Sequence, residues 1–163
     1  MLRAAVLGSG PRFGAVGRYK VLRSFCRQDG VRGNPIVIPD RSAPPTVGVP
    51  SRIVWMTETL GPRPPAAAAL LVSFGSRPVI DLAPAGFAGC RMWVDPSPSN
   101  LWSLTPAPGS MLTLEGGRLW LHWTPPPALA GQELVLQPLF AVPPGRWLWA
   151  PAVQVWVGAG PTN

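Results

Sequence analysis

The sequence predicts an all-β protein, an antiparallel β-sandwich of about seven to eight strands preceded by an irregular N-terminal arm. Three observations carry that expectation. Pro (23) and Gly (18) make up 41 of 163 residues, and both disfavour helix interiors. Hydrophobic residues reach 47% against 13% charged, which argues against full disorder. From about residue 46 onward, apolar segments of strand length alternate with Pro/Gly turns, the spacing of a sandwich rather than of βαβ units.

Residues 1–45 form the arm. Pro11, Gly14, Gly17, Gly30, Gly33, Pro35, Pro39, Pro44 and Pro45 break it into short pieces. Val21-Leu22 and Ile36-Val37-Ile38 are its only stretches with strand character. Residues 46–160 form the sandwich domain. Residues 52–60 (RIVWMTETL) combine β-branched and aromatic side chains. Residues 66–74 (AAAALLVSF) are almost wholly apolar, as in a strand buried on both faces. Four alanines favour helix locally, but Pro64-Pro65 and Gly75 leave too short a segment for a stable one.

Later segments alternate. In residues 90–94, Cys90, Met92 and Val94 share one face, Arg91 and Trp93 the other. Residues 111–115 set Leu112 and Leu114 against Met111, Thr113 and Glu115. Residues 118–123 point Leu119, Leu121 and Trp123 inward and Arg118, Trp120 and His122 outward, and Gly116-Gly117 marks a tight turn or a bulge between these two runs. Residues 132–140 place Leu134 and Leu136 opposite Val135 and Leu139. Residues 147–157 end with Val153, Val155 and Val157 on one face, Gln154 and Trp156 on the other.

The net charge of +7 is uneven. Residues 1–45 carry eight basic and two acidic side chains, the remainder six and five. Thirteen of the 14 basic residues are Arg, scattered without a run of five. That is the composition GC-rich codons write into weakly constrained sequence, so nucleic acid is not an expected partner. Arg3 precedes an apolar run of only residues 4–7, short of the about 7–15 residues of an export signal's apolar region. The longest apolar run, residues 66–72, cannot span a bilayer that needs about 20 residues. Cys26 and Cys90 lie in no CxxC, and the single His122 cannot complete a zinc site. Two such cysteines are either buried thiols or one disulfide, and a disulfide requires an oxidising compartment.

Few residues suggest chemistry. His122 has Ser103, Ser110, Asp81 and Glu115 in the same chain but no GxSxG elbow, and its outward position reads as a surface imidazole. Glu58, Asp81, Asp95, Glu115 and Glu133 are too scattered for a glycosidase pair or a calcium site. Asp81 and Asp95 flank the Gly-Cys turn and read as turn caps. Residues 8–14 (GSGPRFG) lack the preceding strand and following Lys of a phosphate loop. The expectation is therefore no catalytic residue, no metal and no cofactor. The eight Trp are the most informative feature. Trp93, Trp120 and Trp156 lie opposite the aliphatic rows, where indoles stack on sugar rings or fill a protein interface.

Several turn sequences carry a resemblance. Residues 25–30 (FCRQDG) place a Cys before a Gly turn. Pro45-Thr-Val-Gly48 follows, then the Pro-rich entry into an apolar strand at residues 64–75. Residues 80–95 contain Gly86-Phe-Ala-Gly89-Cys90, a strand and Asp95. Pro127-Ala-Leu129-Ala-Gly131 leads to Leu134-Val-Leu-Gln137. From residue 17 to residue 158 this resembles a group of uncharacterised secreted β-domain proteins frequent in planctomycete-type bacteria, with a Gly-x-x-Gly-Cys … Pro-x-Leu-x-Gly pattern. The chain departs from that pattern in having Arg and Phe around Cys26 and Trp123-Thr-Pro-Pro-Pro127 where the group has an Asn/Asp-rich turn. The resemblance implies an extracellular or periplasmic β domain with Cys26 bridged to Cys90, and no catalytic residues. The expected function is a non-enzymatic structural or adhesion module. Its alternative is a carbohydrate-binding module using exposed Trp. The expected partner is a polysaccharide or a cell-surface protein.

Overall fold

A computed structural model describes residues 14–23, 26, 35–57, 64–75, 79–142 and 145–161. The structure is an antiparallel β-sandwich. Among the described residues the strands are β1 (Arg18–Leu22), β2 (Ile36–Pro39), β3 (Ser51–Met56), β4 (Ala67–Phe74), β5 (Ile80–Asp81), β6 (Arg91–Met92), β7 (Leu101–Leu104), β8 (Leu112–Glu115), β9 (Arg118–Trp123), β10 (Glu133–Val142), β11 (Arg146–Trp149) and β12 (Ala152–Trp156). The large sheet runs β1-β12-β10-β4-β7, with β11 also paired to β10. The small sheet runs β2-β3-β9-β8, and β5 and β6 form a separate ribbon.

Among the described residues, two strands lie in the stretch before residue 46. β1 adds an edge to the large sheet through the Arg18↔Trp156 to Leu22↔Ala152 register. β2 adds an edge to the small sheet on β3. Val21-Leu22 and Ile36-Val37-Ile38, the apolar pieces between the breakers, supply them.

The alternation of β9 is met residue by residue: Leu119 and Leu121 are buried, while Arg118 and His122 are exposed. β8 and β9 are joined by Gly116 (φ 56°) and Gly117 (φ 77°), both left-handed. This is the two-residue turn whose twist suits a hairpin, and it pairs Glu115 with Arg118.

The segment 147–157 forms two strands, not one. β11 and β12 both run along the edge of β10, but the register slips between Leu139↔Trp149 and Leu136↔Val153. Three residues, 150–152, there face two on β10, a β-bulge at Ala150-Pro151. The extra residue reverses side-chain parity, so Leu148 before it and Val153 after it both enter the core. Proline has no N–H to give a ladder. The bulge carbonyls are taken by side chains instead: Gln137 Nε2 donates to Ala150 O (3.1 Å) and Trp55 Nε1 to Pro151 O (3.0 Å).

The core lies between the sheets. Ile53, Trp55, Leu112, Leu119 and Leu121 of the small sheet meet Leu70, Phe140, Leu148, Val153 and Val155 of the large one. Full burial of such a side chain contributes about 1.5–3 kcal/mol. A second apolar cluster, Val94, Val135 and Ala152 with Leu22, Leu71, Met92, Trp93 and Leu101 against it, covers the outer side of the large sheet. It explains why β10 alternates weakly in sequence: it is buried on both faces. Cys26 and Cys90, 64 residues apart, are joined by a disulfide and both are buried.

Residues 90–94 form only the two-residue β6 followed by an irregular stretch. Its backbone is claimed by side chains of the large sheet. Gln137, fully buried, accepts from the Trp93 N–H (2.8 Å) and donates to Arg91 O (2.7 Å), while Ser73 Oγ accepts from the Asp95 N–H (3.0 Å). β7 is a further strand that sequence pattern did not indicate. It is four residues long, lies at a sheet edge, and leaves Trp102 and Leu104 exposed.

Candidate functional site

The three tryptophans do not form one row. Trp93 packs into the apolar layer over the large sheet. Trp156 lies on that sheet's outer side, paired across strands with Glu133, and the Arg18 guanidinium sits 4.7 Å from its ring centroid. Trp120 alone stands on the outer face of the small sheet, between Val54 of β3 and Thr113 of β8. Its ring stacks on His122, with centroids 5.6 Å apart and planes at 16°.

Trp120 borders a groove in the described residues. This groove has a volume of about 930 Å³ and wraps over the edge strand β2, near the upper end of the about 300–1,000 Å³ common for ligand clefts. Ile36 and Ile38 project on the outward side of β2 and are 46% and 48% exposed. They continue across the sheet through Val54 to Trp120. Ile36 and Ile38 thus leave apolar surface in water at a sheet edge, while Val54 behind them is buried.

Charge surrounds that strip. Arg23, Arg41, Arg52 and Asp40 all line the groove. Asp40 follows β2 directly and is held in a turn: its Oδ1 accepts from the Ser42 N–H (3.0 Å) and hydroxyl (2.6 Å). Its Oδ2 accepts from Arg52 Nε (2.8 Å). The Ser42 bonds, and then Arg52, hold the Asp40 carboxyl below the usual carboxylate range. Arg23 and Arg41 are exposed and meet no acid among the described residues.

The residues considered for catalysis are dispersed. Ser103 belongs to β7 of the large sheet, and the Ser110 hydroxyl donates to backbone carbonyls, including Leu112 O (2.6 Å). Glu115 ends β8, while Glu133 begins β10 and accepts from Gln154 Nε2. Asp81 accepts from the Ala83 N–H (2.9 Å) and Asp95 from the Ser97 N–H (3.0 Å) and Asn100 Nδ2 (2.8 Å), the turn-capping roles expected of them. Among the described residues no three His, Cys, Asp or Glu side chains gather as metal ligands. Likewise no helix there is long and apolar enough to cross a membrane. Glu58, Arg3, Arg12, Arg27, Arg32 and residues 8–13 of the Gly-rich stretch lie outside the described residues.

Sequence reasoning singled out Trp120 but missed its setting. Ile36, Ile38 and Asp40 sit in a stretch dense in Pro and Gly, where only the i, i+2 isoleucine spacing hinted at a two-faced strand. Arg52 meets Asp40 across 12 residues, which no local pattern reveals. Comparison of the chain with protein families, curated proteins and solved structures finds no match.

Proposed function

We propose that this protein is a non-enzymatic extracellular adhesion module that holds carbohydrate on the outer face of its small sheet. One observation carries the reading: the Ile36–Ile38–Val54–Trp120 strip floors an open groove beside a partly exposed indole. A flat aromatic face suits the apolar face of a sugar ring, and a rigid sheet presents it at little ordering cost. The Cys26–Cys90 disulfide supports an extracellular or periplasmic location. The imidazole of His122 leans on Trp120 rather than on a hydroxyl or carboxylate, which favours recognition over acid–base chemistry.

Co-sedimentation with insoluble polysaccharides (cellulose, chitin, calcium pectate) tests this. At least one should pull the protein down, Trp120→Ala should abolish retention, and Trp156→Ala should leave it intact. Failure of all three to retain the protein removes the carbohydrate reading.

A further inference from the structure

We infer that the groove takes an acidic, uronate-bearing polysaccharide, with a sugar face on Trp120 and carboxylates on Arg23 and Arg41. The inference rests on the carbohydrate reading above and names its ligand class. Among the described residues, three guanidinium groups line the groove against one carboxylate. That carboxylate, Asp40, is already committed to Ser42 and Arg52. Arg23 and Arg41 are left as cations beside an apolar floor. Guanidinium groups keep their charge at every physiological pH, and their planar fork matches a carboxylate through two parallel hydrogen bonds. A neutral glycan would fill the floor and leave both cations in water. A second copy of this chain would bring Arg23, Arg41 and Arg52 against their own kind. A uronate chain answers both demands, since each residue carries a stackable ring and an anion.

Isothermal titration of the full chain with hexagalacturonate, in about 0.1 M salt to screen diffuse attraction, reads the proposal. Hexagalacturonate should bind with an affinity that Trp120→Ala and the double variant Arg23→Gln/Arg41→Gln each lower about tenfold, the loss of roughly 1.4 kcal/mol. Removing equal charge elsewhere, with Lys20→Gln/Arg146→Gln, should change it less than about twofold. Cellohexaose, the neutral probe, should bind at least about tenfold more weakly. If cellohexaose binds as tightly and depends on Trp120, the carbohydrate reading stands and the acidic ligand class falls. If neither sugar binds, both fall. Equal losses from the two double variants mean diffuse attraction to net charge and overturn the inference. So does equally tight, Arg-dependent binding of poly-L-glutamate, which would mark an acidic peptide as the occupant.

Discussion

Tyr19 is the only tyrosine in the chain, and it points inward from edge strand β1. Its hydroxyl bonds the Ser51 hydroxyl, which in turn donates to Ala43 O (2.5 Å). The pair links the large sheet to the start of β3. Burial raises the phenol above its ordinary 10.0, and the Ser51 bond offsets part of that rise. The sign follows from linkage. A proton held more tightly in the folded state stabilises the fold in full below the unfolded pKa, and that contribution is lost as pH rises through the folded one. Ultraviolet titration therefore reads a single phenol, which should ionise above pH 10.0 in the native protein and at its ordinary value in urea. Coincident native and unfolded titrations would mean Tyr19 is not buried. Trp120 shows a different limit of sequence reading. Its outward direction was legible because Leu119 and Leu121 alternate with it, whereas its stacking on His122 required three-dimensional knowledge of β9.

Among the elements, the strands of hairpin β8–β9 were legible from two period-two runs, while the Gly-Gly pair left turn and bulge open until the Glu115↔Arg118 register fixed the turn. The bulge between β11 and β12 was not legible, because apolar residues on both sides of Ala150-Pro151 hide the change of parity. The short segments β5, β6 and β7 were obscured for another reason: side chains of Gln137, Ser73 and Asn100 take backbone partners near them in place of long ladders. β1 depends on a close approach. A Cβ on Gly17 would lie 1.9 Å from Pro45 O and 2.5 Å from Trp156 O, both backbone atoms. Gly17→Ala must push β1 away from β12. Overpacking of this kind costs about 1–3 kcal/mol. The expected result is a lower urea midpoint with faster amide hydrogen exchange confined to residues 18–22. Unchanged exchange there would show that β1 is held elsewhere.

For the molecule as one body, the cysteines alone left thiols and a bridge open, and the resemblance implied the pairing the structure has. The bond ties Cys26, between a strand of the large sheet and a strand of the small one, to Cys90 beside the β5–β6 ribbon. Closing a loop of 64 residues restricts the unfolded chain, worth about 4 kcal/mol on the chain-entropy account. Thiol titration of unreduced, unfolded protein should find no free thiol, and reduction should lower unfolding free energy by about that amount. Two titratable thiols would refute the bridge. Fold class was legible because breakers and alternation act locally. The groove was not, because it is assembled from β1 and the residue after it, β2, β3, β9, the turn after β2 and the Pro151 bulge.

Everything functional in this account turns on which sheet face meets the ligand. Two-dimensional ¹H–¹⁵N spectra of the protein, recorded with galacturonate and cellulose oligosaccharides in turn, locate it directly. The Trp120 indole N–H and the Ile36, Ile38 and Arg52 amides should shift, with the Trp156 indole unmoved. Shifts centred on Trp156 and Arg18, or none with either sugar, would contradict it.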